Sequence, residues 1–165
     1  MSFITRAILL SFVLTCFSNI NAAPFDKGSQ SLSLIVGSGS SFNENYIIVG
    51  GGYGYYVLDG LELGIDAQAW LSGTPKIYKV SPQVEYVFDI SPRFKPYAGV
   101  FYRRTYTEGI DDLNSIGYRV GLIFMGKSNT YFGAGYVYEE YQDCSTTIYS
   151  DCSSSYPEIL FSISF

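Results

Sequence analysis

Apolar and polar residues alternate over most of the chain, which is the period of a β-strand with two different faces. The clearest example is Leu61–Leu71, where every odd-numbered residue is apolar and the residues between them are Glu62, Gly64, Asp66, Gln68 and Trp70. The same alternation predicts seven further strands, over residues 29–40, 46–57, 77–88, 96–106, 115–124, 130–141 and 156–165. The pattern therefore predicts an all-β fold of eight strands.

The segments between these strands alternate in character. Compact turns are predicted at residues 59–60, 89–93 and 126–129, and longer polar loops at residues 41–45, 107–114 and 142–155, with residues 72–76 as a short exception. An even number of antiparallel strands joined alternately by short turns and longer loops is typical of outer-membrane barrels. We therefore predict an eight-stranded antiparallel up-and-down transmembrane β-barrel.

A soluble eight-stranded barrel would show the same alternation with its polar face outward, so the alternation alone does not distinguish it from a membrane barrel. The positions of the glycines do help to distinguish them. Glycines fall on the polar face of the predicted strands, at positions 50, 52, 54, 64, 99, 117, 121, 133 and 135. A narrow lumen requires small residues, whereas a solvated surface does not. The apolar face carries tyrosine and phenylalanine near strand ends, as interfacial girdles do. Both observations favour the membrane barrel.

The first residues have the pattern of a secretory signal peptide. Arg6 is followed by an apolar run over residues 7–17 and then by small and polar residues up to Ala23. This run is too short for a membrane helix, which needs about 20 apolar residues. We predict a signal peptide over residues 1–22, with cleavage after Ala22 or Ala23, and a barrel over residues 23–165.

Composition supports a surface that does not face water. Charged residues make up only 15% of the chain and aromatic residues 18%, against about 25% charged residues in ordinary soluble domains. The net charge of −5 argues against binding to nucleic acid. A closed barrel is a shape that satisfies strand hydrogen bonds inside a membrane.

Charged residues recur on the inward face of the predicted barrel. They are Glu62, Asp66, Lys79, Glu85, Arg103, Arg119, Glu139 and Glu158. An eight-stranded lumen is just wide enough to be filled by its own side chains, so we expect a salt-bridge network that plugs and stabilises the barrel. The turn positions predict that Glu139 lies beside Glu158, with Arg103 and Arg119 on nearby strands. A narrow ion path is the alternative.

Cys144 and Cys152 lie in the longest predicted loop. An exported protein reaches a compartment in which disulfides persist. A disulfide is expected. The loop is also polar and rich in tyrosine, so it could present a surface to a host protein, a phage or a neighbouring molecule. The alternative is a solvated cap.

No cofactor, metal or catalytic site is expected. A zinc site lacks a ligand set because the chain has no histidine and only two cysteines remain after the predicted leader. The acidic residues of the segment 107–114 lack the spacing of a calcium loop. The known enzymes among small outer-membrane barrels rely on a catalytic histidine as general base. The absence of histidine argues against an enzyme of that type.

Two motifs resemble those of a known family. The terminal Ile159-x-Phe161-x-Ile163-x-Phe165 resembles the outer-membrane assembly signal that ends in an aromatic residue, and Lys95 to Val100 is similar to a Pro-Tyr-x-Gly strand common in these barrels. With the leader, they resemble the small outer-membrane proteins of the OmpA and OmpX kind, the outer membrane protein β-barrel domain family of Gram-negative bacteria. No periplasmic peptidoglycan-binding domain is expected after Phe165.

This resemblance implies export by the Sec route, escort by periplasmic chaperones and insertion by the β-barrel assembly machinery. The surroundings would be outer-membrane lipid and lipopolysaccharide, and the protein would be a monomer. The expected function is a non-enzymatic integral outer-membrane scaffold whose surface loops serve recognition or adhesion. A narrow, porin-like channel for ions or small solutes is the alternative, and a lipid-modifying enzyme is a third.

Overall fold

The structure is a computed structural model that describes residues 23–127, 129–142, 144 and 152–165. The predicted signal peptide and most of the loop before Cys152 lie outside these residues. Eight strands are present: β1 (Gln30–Ser41), β2 (Glu44–Leu58), β3 (Leu61–Leu71), β4 (Ile77–Val87), β5 (Phe94–Thr107), β6 (Ile110–Met125), β7 (Thr130–Tyr141) and β8 (Ser153–Ser164). In the part of the chain so described, no helix has the length and apolar character needed to cross a membrane.

The strands form one closed, up-and-down antiparallel barrel. Each strand pairs with its neighbours in sequence, and β1 closes the ring by pairing with β8. At the end of the barrel where the compact turns lie, called here the turn end, the Gln30 amide donates to the Phe165 carbonyl at 2.8 Å and the Phe165 amide donates back at 3.0 Å. The opposite end is the loop end. The predicted eight-stranded barrel is confirmed.

The outer surface is apolar around the whole barrel. Leu34, Ile65, Val100, Ile116 and Phe161 all point outward and are at least half exposed. Contact of such side chains with water costs about 25 cal/mol per Å², and a soluble barrel would bury them. Aromatic side chains pair along the same surface, as Tyr118 and Tyr138 do with ring centroids 5.4 Å apart. The surface therefore matches a lipid environment.

Two of the predicted long loops are tight turns instead. β1 and β2 stay paired as far as Ser41 and Glu44, and only two residues separate these strands. β5 and β6 likewise extend to a turn at Glu108 and Gly109, where Gly109 has a φ of +77°. Both sides of a strand face water beyond the bilayer, so the apolar alternation is lost there although the pairing continues. The prediction of loops over residues 41–45 and 107–114 was wrong for this reason.

Candidate functional site

The barrel interior holds a column of charged side chains, and the alternation of each strand directs them inward. The structure places all eight predicted lumen residues inside the barrel, at most 7% exposed. The strands β3 to β8 each contribute one member of the central part of this column: Asp66, Lys79, Arg103, Arg119, Glu139 and Glu158. Buried charges of this kind require paired and hydrogen-bonded partners.

Glu139 is the centre of the upper part of the column, nearer the loop end. Its carboxylate pairs with the Lys79 ammonium and accepts hydrogen bonds from Arg103 Nη1 at 3.1 Å and Ser115 Oγ at 3.1 Å. The Lys79 ammonium also lies 3.9 Å from the centroid of the Trp70 ring, a position that favours a cation. The negative charge of Glu139 is therefore shared by two cations from two different strands.

Arg103 connects the upper part to the centre. Its Nε donates to Ser81 Oγ at 2.6 Å, and its Nη1 donates to Tyr156 Oη at 2.6 Å. Nη2 lies 3.9 Å from Asp66 Oδ1. With Glu139, this one guanidinium contacts side chains from β3, β4, β7 and β8, so it ties the opposite walls of the barrel together.

Arg119 is the cation of the lower centre. Its Nη2 donates to Asp66 Oδ2 at 2.8 Å, and its Nε lies 3.7 Å from Glu158 Oε1. Asp66 is therefore placed between Arg103 and Arg119. A continuous chain of ion pairs runs from Lys79 through Glu139, Arg103, Asp66 and Arg119 to Glu158.

The expected proximity of Glu139 and Glu158 is not found. Glu139 is opposite Ser154 in the β7–β8 register, and Glu158 is opposite Gly135. The two carboxylates therefore belong to different parts of the column, one held by Lys79 and Arg103 and the other facing Arg119. The prediction failed because β8 begins at Ser153, whereas its first serines had been assigned to the loop.

Glu62 and Glu85 form the lowest part of the column, towards the turn end. They are directly opposite each other in the β3–β4 register, and Glu62 accepts a hydrogen bond from Ser31 Oγ at 2.7 Å. Among the residues that the structure describes, no cation lies within ion-pair distance of either carboxylate. The lumen as a whole has five carboxylates and three cations from the predicted set.

Aromatic side chains close the lumen at both ends. At the loop end the Trp70 ring packs against Tyr46 and Tyr156, with centroids 5.8 and 5.1 Å away. At the turn end the Phe25 ring enters the barrel from the segment before β1 and packs against Tyr56 and Tyr131, with centroids 5.7 and 5.0 Å away. The charged column is therefore enclosed between two aromatic layers.

Sequence reasoning missed the turn-end layer. Tyr56 and Tyr131 lie on inward positions of β2 and β7, so their place in the inward–outward alternation could have identified them. Phe25 could not be found in this way, because it precedes the first strand and adopts a φ of +74° outside any periodic element.

The close approach of the walls requires glycine at some inward positions. A Cβ on Gly121 would lie 2.4 Å from the Ala134 carbonyl oxygen and 2.6 Å from the Tyr97 ring. These distances are shorter than van der Waals contact, so glycine at this position allows the Tyr97 ring to lie flat against the wall formed by β6 and β7. This agrees with the small residues expected on the inward face.

Cys144 and Cys152 form a disulfide that closes the connection between β7 and β8. The Tyr141 amide donates to the Cys152 carbonyl at 2.9 Å, so the base of this connection continues the strand pairing. Asp143 and residues 145–151, which make up most of the loop predicted to present a recognition surface, lie outside the described residues. Within the described ranges, no cluster of three or more potential metal ligands occurs.

Several solved structures share this architecture. The N-terminal β-barrel domain of Pseudomonas aeruginosa OprF is 15% identical with a TM-score of 0.65, and the match covers 84% of this chain and 98% of that one. Neisserial surface protein A is 18% identical with a TM-score of 0.63, covering 83% and 96%. A de novo designed transmembrane β-barrel is 16% identical with a TM-score of 0.61, covering 85% and 98%.

These similarities concern the fold. No protein-family model matches the sequence, and no curated protein matches it either. A designed barrel matches about as well as natural ones, so the architecture alone assigns no activity. Its apolar exterior and filled polar lumen agree with the membrane-spanning assignment. The chain has the fold of the small eight-stranded transmembrane β-barrels of the bacterial outer membrane.

Proposed function

We propose that this protein is a non-enzymatic, non-conducting integral outer-membrane scaffold that presents its loop end for recognition or adhesion. The observation that carries the proposal is the filled lumen. The aromatic layer around Trp70, the ion-pair chain centred on Arg103 and the aromatic layer around Phe25 follow one another along the barrel axis. Such a sequence of packed side chains makes a rigid support and leaves little room for a hydrated ion.

Recognition is assigned to the connection between β7 and β8. The other connections at the loop end are a two-residue turn at Phe42 and Asn43, the segment 72–76, and the turn at Glu108 and Gly109. The β7–β8 connection is the longest, and its Cys144–Cys152 disulfide restricts its conformations. A restricted loop loses less conformational entropy on binding, which suits contact with a host protein or a phage.

The same proposal includes the route of assembly and the lipid surroundings. Phe161 and Ile163 point outward, and together with the terminal Phe165 they agree with insertion by the β-barrel assembly machinery after escort by periplasmic chaperones. The apolar exterior would contact outer-membrane lipid and lipopolysaccharide. A monomer is proposed, because the barrel pairs every strand within one chain.

Planar-bilayer recording of the purified protein tests the closed lumen, with a general porin in the same bilayer as positive control. We expect no discrete conductance steps. The polar column in the lumen favours the alternative, a narrow channel. Reproducible conductance steps from the purified barrel would overturn the proposal of a non-conducting scaffold.

Recognition and catalysis need separate tests. Cells in which the loop 145–150 is replaced by a Gly-Ser segment should lose adhesion or phage binding while the barrel still inserts, and unchanged adhesion would contradict the role of this loop. Mass spectrometry of lipid A from cells with and without the gene tests the enzyme alternative. We expect identical spectra, and a change in acylation would contradict the non-enzymatic assignment.

A further inference from the structure

A small cavity lies at the mouth of the barrel, at the loop end. It has a volume of about 70 Å³, which is room for about five water molecules. Its inward-facing lining residues are Ser41, Ile77, Thr105, Thr107, Leu113 and Ser154. Ser41 lies on β1 and the two threonines lie on β5, and these strands are opposite each other in the ring. The cavity therefore spans the mouth from wall to wall and is called the mouth cavity.

Hydroxyl groups around the mouth cavity are available to a ligand. Thr105 is 4% exposed, and its buried Oγ1 atom has no hydrogen-bond partner. A buried hydroxyl in this state is costly, so a partner at this place is stabilising. Thr107 and Ser154 line the same cavity, and within the described ranges their side chains make no hydrogen bond either. Three hydroxyl groups from two strands therefore converge on one small space.

No free charge faces the mouth cavity among the described residues. Tyr141 also lines it, and the Tyr141 hydroxyl lies 3.4 Å from Lys79 Nζ and donates to Glu139 Oε1 at 3.1 Å. Lys79 and Glu139 are at most 1% exposed and pair with each other. A charged ligand group would lose its hydration here without gaining a counter-ion. The cavity therefore selects a neutral group.

Aliphatic side chains supply most of the remaining lining. Ile77 of β4 is opposite Thr107 in the strand register, and Leu113 of β6 is opposite Thr105. One small group in the cavity would thus contact hydroxyl groups and aliphatic carbon together. An acetamido group has the matching parts, because it is neutral, its N–H donates, its carbonyl accepts and its methyl group is apolar. Its size also agrees with the volume of the mouth cavity.

We propose that the mouth cavity binds the acetamido group of an N-acetylated sugar at the end of a glycan carried by another cell. This rests on the proposed function, because it needs the loop end to face outward, and it deepens the recognition assigned to that end. The amide N–H and carbonyl would pair with Thr105, Thr107 and Ser154. The methyl group would contact Ile77 and Leu113.

The rest of the sugar would remain at the rim of the barrel. The mouth cavity is too small for a whole sugar ring, and Phe42 and Ser153 complete its lining at the rim. The aromatic ring suits the apolar face of a sugar, and the serine hydroxyl matches the hydroxyl groups at its edge. This combination favours a sugar over an acetylated peptide, which has no such ring of hydroxyl groups.

Saturation-transfer NMR with the protein in lipid nanodiscs measures this binding. N-acetylglucosamine is the probe, and glucose, glucosamine and N-acetylalanine amide are the comparison compounds. We expect the strongest transfer at the acetyl methyl of N-acetylglucosamine and none to glucose or glucosamine. Equal transfer to N-acetylalanine amide would overturn the assignment to a sugar, and transfer centred on the ring protons would overturn the acetamido site.

Two pairs of variants locate the site. Thr105→Val removes the unpartnered hydroxyl at nearly constant volume and should weaken binding about fivefold, whereas Thr130→Val makes the same change at the turn end and should not alter it. Ser154→Phe fills the mouth cavity and should weaken binding about tenfold or more. Ser155→Phe places the same ring on the adjacent outward position and should leave binding unchanged. Equal affinities within either pair would overturn the site.

Insertion is measured first for every variant, by the shift in gel migration between unboiled and boiled samples. A wild-type protein that never inserts into lipid would overturn the proposed function itself. Normal insertion without transfer to N-acetylglucosamine would overturn only the acetamido site. The two failures are therefore distinguishable.

Discussion

Replacement of Arg103 by methionine should destabilise the barrel more than any exposed charge substitution. The guanidinium is completely buried and donates to Ser81, Glu139 and Tyr156. Removal of one partner from a buried ion-pair network costs about 3–5 kcal/mol, because the remaining charge stays buried without compensation. With a dependence of about 2 kcal/mol per M of urea, the unfolding midpoint should fall by about 2 M.

The assay is equilibrium urea unfolding of the protein in lipid vesicles, followed by Trp70 fluorescence. The adjacent residue supplies a matched control: Arg104 points outward, is about half exposed and pairs with Asp112 at 2.9 Å. Arg104→Met should leave the midpoint near that of the wild type, because exposed pairs contribute little. Equal midpoints for Arg103→Met and Arg104→Met would refute the stabilising role of the lumen network.

Two further predictions concern packing and lipid contact. Gly121→Ala should cost about 1–3 kcal/mol of unfolding free energy by overpacking against Tyr97. The control Gly51→Ala should be neutral, because its Cβ would lie 3.5 Å from its nearest neighbour. Equal urea midpoints for the two variants would contradict the close approach at Gly121. Ile65→Arg, on the lipid face in the middle of β3, should lower the unfolding free energy by about 2–4 kcal/mol, and Leu58→Arg at the turn end should lower it by about 0–1 kcal/mol. Equal losses for the two variants in the same urea assay would argue against a bilayer around the barrel.

The faces of the strands could be predicted from the sequence, because the alternation of side chains is a local property of extended backbone. Asp66 and Arg119 were assigned to the lumen from their position among apolar neighbours, and the structure places both there. The number of strands followed from the same pattern. These inferences needed no knowledge of which strand residues are opposite each other.

The contacts within the lumen could not be predicted in this way. Register depends on where each turn begins, and polar strand ends such as Ser153 have the composition of loops. This error shifted the expected partner of Glu139 from Ser154 to Glu158, four residues further along β8. The β1–β8 pairing ends at Gly37 opposite Glu158, next to Pro157, and this end point was likewise hidden, because it depends on the alignment of β1 with β8.

Closure between β1 and β8 also determines how the chain can fold. These two strands are the most distant in sequence, and each presents unpaired main-chain groups until they meet. Such groups are costly in hydrocarbon, and contacts between remote segments form slowly. We therefore expect that a chain truncated before β8 does not form a stable barrel in lipid. The pairing of β1 with β8 therefore links closure of the barrel to its insertion, because the main-chain groups of both strands are satisfied only after β8 has taken its place.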